Sequence, residues 1–190
     1  MNFFKTCVCF ADCSYSTKIV SIQIVSFEKY LEGELRTLLR EYLDFAANVI
    51  IEEPWKFSIN IEKEIEFTFE KMKDFTPPNG DILVAFSDEQ AVGTASIKMI
   101  RKDVSELKRM YVKPKFQGQL IGQKLLERLF KRSEEFGAKE VFLDTPPPFK
   151  AAHKLYLKNG FELFEEYPEL SIPDELKPQW VYMRKLLIEK

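Results

Sequence analysis

The 190-residue chain is long enough to form one compact domain, and with 45% hydrophobic residues it can build a core. Its 28 basic and 30 acidic residues leave a net charge of -2, which excludes the strongly basic surface of a general nucleic-acid binder. No apolar run reaches the length of a membrane-spanning helix, so a membrane partner is not expected. The charge is uneven: residues 98–139 contain 12 basic and 5 acidic side chains, which suits a solvated helix face or a polyanionic ligand.

The first thirteen residues contain all three cysteines, Cys7, Cys9 and Cys13, and His153 is the only histidine of the chain. This spacing lacks the paired cysteines of a structural zinc site, so we expect no metal and a reduced, cytoplasmic protein. Asp12 interrupts an apolar run that would otherwise resemble a signal peptide. We therefore interpret residues 1–18 as a disordered extension and residues 19–190 as the folded domain.

The first part of the domain predicts one strand and two helices. Apolar and polar residues alternate over 19–27, as in a half-buried strand. Ser26 then stands where a helix N-cap is expected, and apolar residues keep helical spacing as far as Leu43, with a break before Pro54. A second helical pattern covers residues 60–74 and ends at the P-P-N-G turn.

The rest of the chain predicts a mixed sheet with helices on its faces. Strand patterns at 81–87, 91–100 and 106–112 are separated by short turns, which indicates an antiparallel meander. A helix over 119–136, a buried strand at 140–144, a helix over 149–158 and strands near 161–167 and 180–187 follow. The expected fold is a single α/β domain with a largely antiparallel sheet of six or seven strands and about four helices.

The turn between the third meander strand and the next helix reads V-K-P-K-F-Q-G-Q-L-I-G over residues 112–122. The first N–H groups of a helix have no intrahelical partner and carry partial positive charge, so such a turn favours an anion. Gly118 and Gly122 would let a pyrophosphate approach the backbone. A turn without any ligand is the alternative. A nucleotide site of a kinase-like or redox domain is disfavoured, because the Gly-Lys-Ser/Thr and three-glycine patterns are missing.

The residues around this turn resemble the GNAT superfamily of acyl-CoA-dependent N-acetyltransferases. The segments are E-L-K-R-M-Y-V-K-P-K-F-Q-G-Q-L-I-G, then V-F-L-D-T, then A-A-H-K-L-Y-L-K-N-G-F, and the likeness covers residues 20–188. It implies acetyl-CoA as cosubstrate and no metal: the strand pairs with the pantetheine arm, and the turn amides bind the pyrophosphate. The implied cofactor-binding residues are Met110, Tyr111, Val112, Gln117, Gly118, Gln119, Leu120, Ile121, Gly122 and Gln123.

Two residues depart from the family pattern. Leu120 stands where the family prefers glycine or alanine, and its side chain could crowd the pyrophosphate or resist a positive φ. Phe149 stands where many members have an asparagine near the cofactor. Leu120 keeps open the alternative of an acyl-CoA-binding module of the same fold without turnover.

The resemblance also implies two catalytic residues. Glu106 lies eleven residues before Gln117, as does a catalytic glutamate in the histone-acetylating branch, and would take the proton of the acceptor amine. The alternatives are a water chain or a different base, with Glu106 a solvent-facing charge at the strand start. Tyr156 would protonate the leaving thiolate; the alternative is a core tyrosine. His153 lies on a similar helix face, where a surface or capping role is the simpler interpretation.

The acceptor is the least specified part of the prediction. In the family it lies between the first two helices and the last strand pair, which here means Glu52, Glu53, Trp55 and Phe57 on one side and residues 167–180 on the other. Acidic and aromatic side chains suit a cationic amine. We therefore expect transfer of acetyl by direct attack of a small-molecule primary amine or an amino-acid-like acceptor, with a homodimer allowed and no nucleic acid or membrane involved.

Overall fold

A single seven-stranded sheet organises the computed structural model, which describes residues 21–51 and 58–187. The cysteines of the first thirteen residues and the acceptor candidates from Glu52 to Phe57 lie outside the described residues. The strands are β1 Ile22–Ser26, β2 Gly80–Ser87, β3 Gln90–Arg101, β4 Val104–Val112, β5 Glu140–Thr145, β6 Glu162–Phe164 and β7 Val181–Leu186. The helices are α1 Glu32–Ile50, α2 Ile61–Glu70, α3 Ile121–Glu135 and α4 Lys150–Lys158.

The spatial order of the strands is β1-β2-β3-β4-β5-β7-β6. Every neighbouring pair is antiparallel except β4 and β5, which are parallel and are joined through α3. The predicted meander is β2-β3-β4, and the predicted mixed, largely antiparallel sheet with four helices is confirmed. No helix among the described residues has both the length and the apolar composition needed to cross a bilayer.

The two faces of the sheet are covered by different helices, and β4 shows how the sequence separates them. Leu107 belongs to the main core, together with the α3 residues Leu125 and Leu129. Val104, three residues earlier, packs on the opposite face with Phe142. Helices α1 and α2 cover that opposite face, where they form a core of their own: Leu35, Leu39, Ile65, Phe75 and Ile82. Alternation along each strand therefore divides the molecule into an α3/α4 face and an α1/α2 face.

The prediction that Ser26 caps the first helix is wrong. Ser26 is the last residue of β1, and its hydroxyl donates a 2.9 Å hydrogen bond to Asp81 Oδ2. Asp81 is buried and also binds the guanidinium of Arg132, so its oxygens require these donors. The chain then passes through a short 3-10 turn, Lys29–Leu31, before α1 begins. The second helix begins as expected, because the Asn60 side chain accepts from the Lys63 amide at 3.1 Å.

The parallel pair of strands separates soon after it begins. Only Val104 to Glu106 of β4 pair with Glu140 to Phe142 of β5, although β4 continues to Val112 and β5 to Thr145. The two strands therefore diverge and leave a wedge between them, open at the ends that face α1 and α4. Beyond Glu106, the edge of β4 that faces β5 has no strand partner.

A bulge in β4 lies beside this wedge. Thr94 and Ser96 of β3 are two residues apart, whereas their partners Tyr111 and Lys108 are three residues apart, so β4 contains one extra residue. Arg109 lies in this segment with φ 54, in the left-handed region. The bulge changes the direction of the strand next to the point where β4 leaves β5.

Candidate active site

Helix α1 covers the open end of the wedge. The Tyr42 and Tyr111 ring centroids are 6.2 Å apart, and Glu41 accepts from the Tyr111 hydroxyl at 3.3 Å and from Lys113 Nζ at 2.9 Å. Further along α1, Phe45 lies 5.1 Å from the ring of Phe149, at the start of α4. Helix α1 and the start of α4 therefore border the wedge. Phe149, one of the two departures from the family pattern, is part of this border.

The turn after β4 presents free backbone amides. A 3-10 turn, Pro114–Phe116, follows β4, and Gln117 Nε2 donates to Val112 O at 3.0 Å, which closes the turn. The first intrahelical bond of α3 runs from Lys124 N to Leu120 O, and no side chain caps the helix. The amides of residues 121–123 therefore have no intrahelical acceptor, which is the arrangement that binds anions.

Leu120 adopts the positive φ that its side chain was expected to resist. It has φ 61 and ψ 10, and its side chain is 62% exposed. A left-handed conformation costs a non-glycine residue roughly 1 to 2 kcal/mol, and the contacts of the surrounding turn offset this cost. Gly118, with φ 79, needs the same region, and a Cβ there would meet no atom within 4 Å. The need for glycine at 118 is therefore conformational and does not come from crowding within the chain.

Gly122 serves helix packing. A Cβ at this position would lie 3.1 Å from Leu155 Cδ2 and 3.3 Å from Met110 Cε. The missing side chain lets the first turn of α3 approach β4 and α4 closely. The same turn is tied to the end of α4 by two amide hydrogen bonds, since Gln123 donates to Asn159 at 2.6 Å and Asn159 donates back at 2.9 Å. Sequence analysis did not pair these two residues, which are 36 positions apart.

Tyr156 lies on α4 next to the wedge. Its side chain is buried against Phe161, with 5.6 Å between ring centroids. Burial raises the pKa of the Tyr156 hydroxyl, and the nearby Tyr42 and Asp144 raise it further. The hydroxyl makes no hydrogen bond to another described residue. Tyr156 therefore remains a protonated donor at neutral pH and has its hydrogen-bonding capacity free.

Glu106 is completely buried, so the alternative of a solvent-facing charge is wrong. Its Oε1 accepts from the Tyr167 hydroxyl at 2.8 Å and lies 3.1 Å from Lys108 Nζ. Lys98 Nζ lies 3.2 Å from Oε2, close enough for an ion pair, but its direction does not make a hydrogen bond. A buried carboxylate is stable only when such partners neutralise it.

Asp144 extends the charged cluster to β5. Lys108 Nζ donates to Asp144 Oδ1 at 2.5 Å, and Trp180 Nε1 donates to Oδ2 at 3.0 Å. Burial opposes the charge of Lys108, but the carboxylates of Asp144 and Glu106 outweigh it and raise the lysine pKa. Sequence analysis missed Lys98, Lys108 and Asp144. The one available signal was the spacing of Glu106 and Lys108, which puts both on one face of a strand.

His153 is directed toward the backbone. Its Nε2 lies 3.1 Å from the carbonyl oxygen of Pro146, and burial lowers the pKa of the ring. A neutral imidazole that donates to this carbonyl holds the start of α4 on the preceding turn. This contact agrees with the capping interpretation.

The diverging parallel strands, the bulged strand edge and the uncapped turn define the class of protein. The fold and this arrangement are those of an acyl-CoA-dependent acetyltransferase. A sequence profile of the acetyltransferase (GNAT) family matches residues 36–161. The chain belongs to the GNAT family and is a GNAT-type N-acetyltransferase.

Individual relatives agree with this assignment. An uncharacterized N-acetyltransferase of Schizosaccharomyces pombe is 29% identical over 168 residues, which cover 87% of this chain and 93% of that protein. An acetyltransferase from Streptococcus agalactiae superposes with a TM-score of 0.70 at 22% identity, covering 87% of this chain and 98% of the other. The PaiA N-acetyltransferase of Thermoplasma acidophilum, solved in complex with coenzyme A, gives a TM-score of 0.68 at 23% identity, covering 88% and 99%. These two structures bear on the fold alone.

Proposed function

We propose that this chain transfers the acetyl group of acetyl-CoA to the primary amine of a small molecule, by direct attack in a ternary complex. The observation that carries the proposal is the wedge, where the edge of β4 beyond Glu106 has no strand partner and leads into an uncapped helix turn. An extended arm that ends in a pyrophosphate matches both features. The complex of the Thermoplasma relative with coenzyme A adds support.

The residues of this chain fit such a ligand. The backbone of Met110 to Val112 would pair with the pantetheine arm, and the amides from Gly118 to Gln123 would bind the pyrophosphate. The predicted amide of Gln117 is not available, because it donates to Pro114 O at 3.2 Å. Gly118 allows the turn its positive φ, and Leu120 adopts one without glycine. The bound acetyl-CoA supplies an activated thioester. The alternative of a module without turnover depended on Leu120, and the backbone conformation of Leu120 gives it no support.

The acceptor amine must lose a proton before it attacks. An aliphatic ammonium has a pKa near 10.4, so removing its proton at pH 7 costs about 4 to 5 kcal/mol of free energy. Lys108 and Arg109 disfavour a second positive charge nearby and lower the pKa of a bound amine. In our proposal Glu106 then receives the proton through the Tyr167 hydroxyl, which already donates to it at 2.8 Å.

Two further groups complete the proposed mechanism. A backbone N–H near Met110, beside the bulge, would donate to the carbonyl oxygen as negative charge develops there. The Tyr156 hydroxyl would give its proton to the departing sulfur, because it is protonated at neutral pH and donates to no other described residue. This division of roles places the base on the α1/α2 face and the acid on α4.

The test combines calorimetry with acetyl-CoA and thiol release over a panel of primary amines. Gly118→Ala strains the turn, and we expect roughly tenfold weaker acetyl-CoA binding, or about 1.4 kcal/mol. Gly137→Ala is the matched control, since Gly137 also has positive φ and open space but lies beyond the far end of α3. Both variants should lose similar thermal stability.

Three outcomes separate the alternatives. Tight binding with thiol release supports the proposal. Tight binding without release over the whole panel supports the module instead, and no binding at all refutes both. Equal affinities of the Gly118 and Gly137 variants would show that the turn does not hold the ligand.

A further inference from the structure

Arg109 occupies an unusual position for an arginine. It lies in the β4 bulge with φ 54, directly before Met110. Its guanidinium stacks on Phe75, with Cζ 4.6 Å from the ring centroid. Phe75 belongs to the core of the α1/α2 face, so Arg109 projects to that face of the sheet, as does the Glu106 cluster. Stacking holds the guanidinium plane in place and leaves its N–H edges available.

Arg109 has no ion-pair partner among the described residues of this cluster. Lys98 lies against Glu106, and Lys108 lies against both Glu106 and Asp144. The Glu64 carboxylate of α2 also acts on Arg109, but it is not in ion-pair contact with it. Arg109 makes neither an ion pair nor a hydrogen bond with a described residue. Among the described residues, the contact of its guanidinium is the ring of Phe75.

The guanidinium is deep but still in reach of solvent. Arg109 is half-buried, and burial lowers its pKa, which Tyr42, Glu64 and Glu106 partly offset. An arginine nevertheless stays charged in a protein, so this site keeps a cation whose desolvation is only partly compensated. Unpaired charges of this kind are typical of binding sites.

The position relative to the reaction is also specific. Arg109 precedes Met110 at the bulge of β4, the strand whose edge borders the wedge. A ligand group bound by Arg109 would therefore lie on the α1/α2 face, beside the strand segment that pairs with the pantetheine arm in our proposal. This is the face from which the acceptor approaches in our proposal.

We propose that Arg109 binds a carboxylate of the acceptor, so that the substrate is a primary amine that also carries a carboxylate, such as an amino acid. This inference rests on the proposed function and specifies its substrate class. The planar guanidinium binds a carboxylate through two parallel hydrogen bonds, which fixes orientation as well as charge. An amine without an anionic group would instead meet an uncompensated positive charge.

The test uses matched substrates that differ only in the carboxylate. Amino acids and their decarboxylated amines, for example phenylalanine with phenethylamine and leucine with 3-methylbutylamine, are compared by thiol release from acetyl-CoA. We expect the best amino acid to exceed its decarboxylated counterpart at least tenfold in kcat/KM. Arg109→Gln should abolish this preference through KM, with kcat changed less than about threefold.

Two variants control for charge and folding. Lys102→Gln removes one positive charge from the exposed turn between β3 and β4 and should keep the preference. Arg109→Lys keeps the charge but lacks the two-pronged geometry, and we expect an intermediate preference. If Arg109→Gln does not fold, the comparison of Arg109→Lys with wild type decides. An equal preference in those two proteins, or none in wild type, overturns the inference.

A binding measurement separates this inference from the proposed function. Calorimetric titration of the same pairs onto the protein with coenzyme A bound needs no turnover. If no amine is acetylated, the proposed function fails, and carboxylate-dependent binding that is lost in Arg109→Gln still supports the site. A comparison of malonyl-CoA with acetyl-CoA tests the other source of a carboxylate. If Arg109→Gln changes only that donor preference, the carboxylate belongs to the donor and the inference is wrong.

Discussion

At the residue scale, the proposed proton transfer depends on the environment of the Tyr156 hydroxyl. Its ring is fixed by Phe161 in the main core, yet the hydroxyl has no described hydrogen-bond partner. Among the described residues, Glu106 Oε2 is the only fully buried side-chain oxygen or nitrogen without a hydrogen-bond partner, so the Tyr156 hydroxyl reaches solvent. The hydroxyl is therefore open to a bound ligand, as the proposed role requires.

The corresponding prediction concerns Tyr156→Phe. We expect kcat to fall roughly 100-fold while the affinity for acetyl-CoA changes less than twofold, because only proton transfer to the leaving sulfur is lost. Steady-state kinetics and calorimetry measure the two quantities. Tyr30→Phe is the control, since Tyr30 is 72% exposed and should retain full activity. An unchanged turnover number for the Tyr156 variant would remove the residue from the mechanism.

The sequence predicted the role of a single residue where that role depends on local interactions, and did not predict it where the partners are distant in the chain. Gly118 could be assigned to a turn because its role depends on local backbone conformation. The partners of Glu106 could not be identified, because Lys98 and Tyr167 reach it only through strand pairing and a distant loop. The solvent-facing alternative for Glu106 remained open for the same reason. Burial is a property of the folded chain.

At the element scale, one strand serves three regions of the molecule. The α3/α4 side of β4 contributes Leu107 to the main core, and the other side contributes Glu106, Lys108 and Arg109 to the charged cluster. The edge beyond Glu106 faces the wedge. The ion pairs of the cluster join β3, β4 and β5 at the point where β4 and β5 begin to diverge. A hydrogen bond from Tyr167 to Glu106 connects the cluster to the loop after β6.

The cluster predicts different effects for a structural and a catalytic Glu106. Glu106→Gln removes one buried charge and should destabilise the fold by about 3 to 5 kcal/mol, whereas Tyr167→Phe should cost about 1 kcal/mol. If the proton passes through Tyr167 to Glu106, both variants also lower kcat and alter the acidic limb of the pH profile. Thermal unfolding and pH-rate profiles measure these effects.

Tyr182→Phe is the matched control for Tyr167→Phe. Its hydroxyl donates to Lys177 O at 2.8 Å and does not touch Glu106. It should lose similar stability and keep the wild-type pH profile. If Glu106→Gln and Tyr167→Phe also keep that profile, the network is structural and the base lies elsewhere.

The elements themselves were largely predictable, and the errors have a common cause. Regular hydrophobic spacing identified the seven strands and four helices. The start of the first helix was missed because Ser26 satisfies a buried aspartate on another strand, which local capping rules cannot include. The wedge follows from β4 and β5 pairing over only three residues, a feature without a local sequence signal.

At the scale of the whole molecule, burial of tyrosines links stability to alkaline pH. Five tyrosines have pKa values raised mainly by burial: Tyr42, Tyr111, Tyr156, Tyr167 and Tyr182. Tyr111 and Tyr182 reach about 12. In the unfolded chain a tyrosine ionises near pH 10, so above that pH the unfolded state binds fewer protons than the folded state.

We therefore expect stability to be insensitive to these groups below pH 10 and to fall steeply between pH 10 and about 12. Tyrosinate absorbance and far-ultraviolet circular dichroism, recorded together, measure the effect. Ionisation of the buried tyrosines should coincide with loss of secondary structure. If the five tyrosines ionise near pH 10 while the circular dichroism is unchanged, burial does not raise their pKa values and the prediction is wrong.

The short pairing of β4 with β5 has a consequence for how this molecule can change over time. In the proposed complex the donor pairs with main-chain atoms of the β4 edge, which every amino acid provides. On the α1/α2 face of the same strand, Glu106 and Lys108 are held in the charged cluster, whereas Arg109 makes no ion pair with a described residue. Substitutions at Arg109 can therefore suit the protein to other acceptors without rebuilding its proposed donor site.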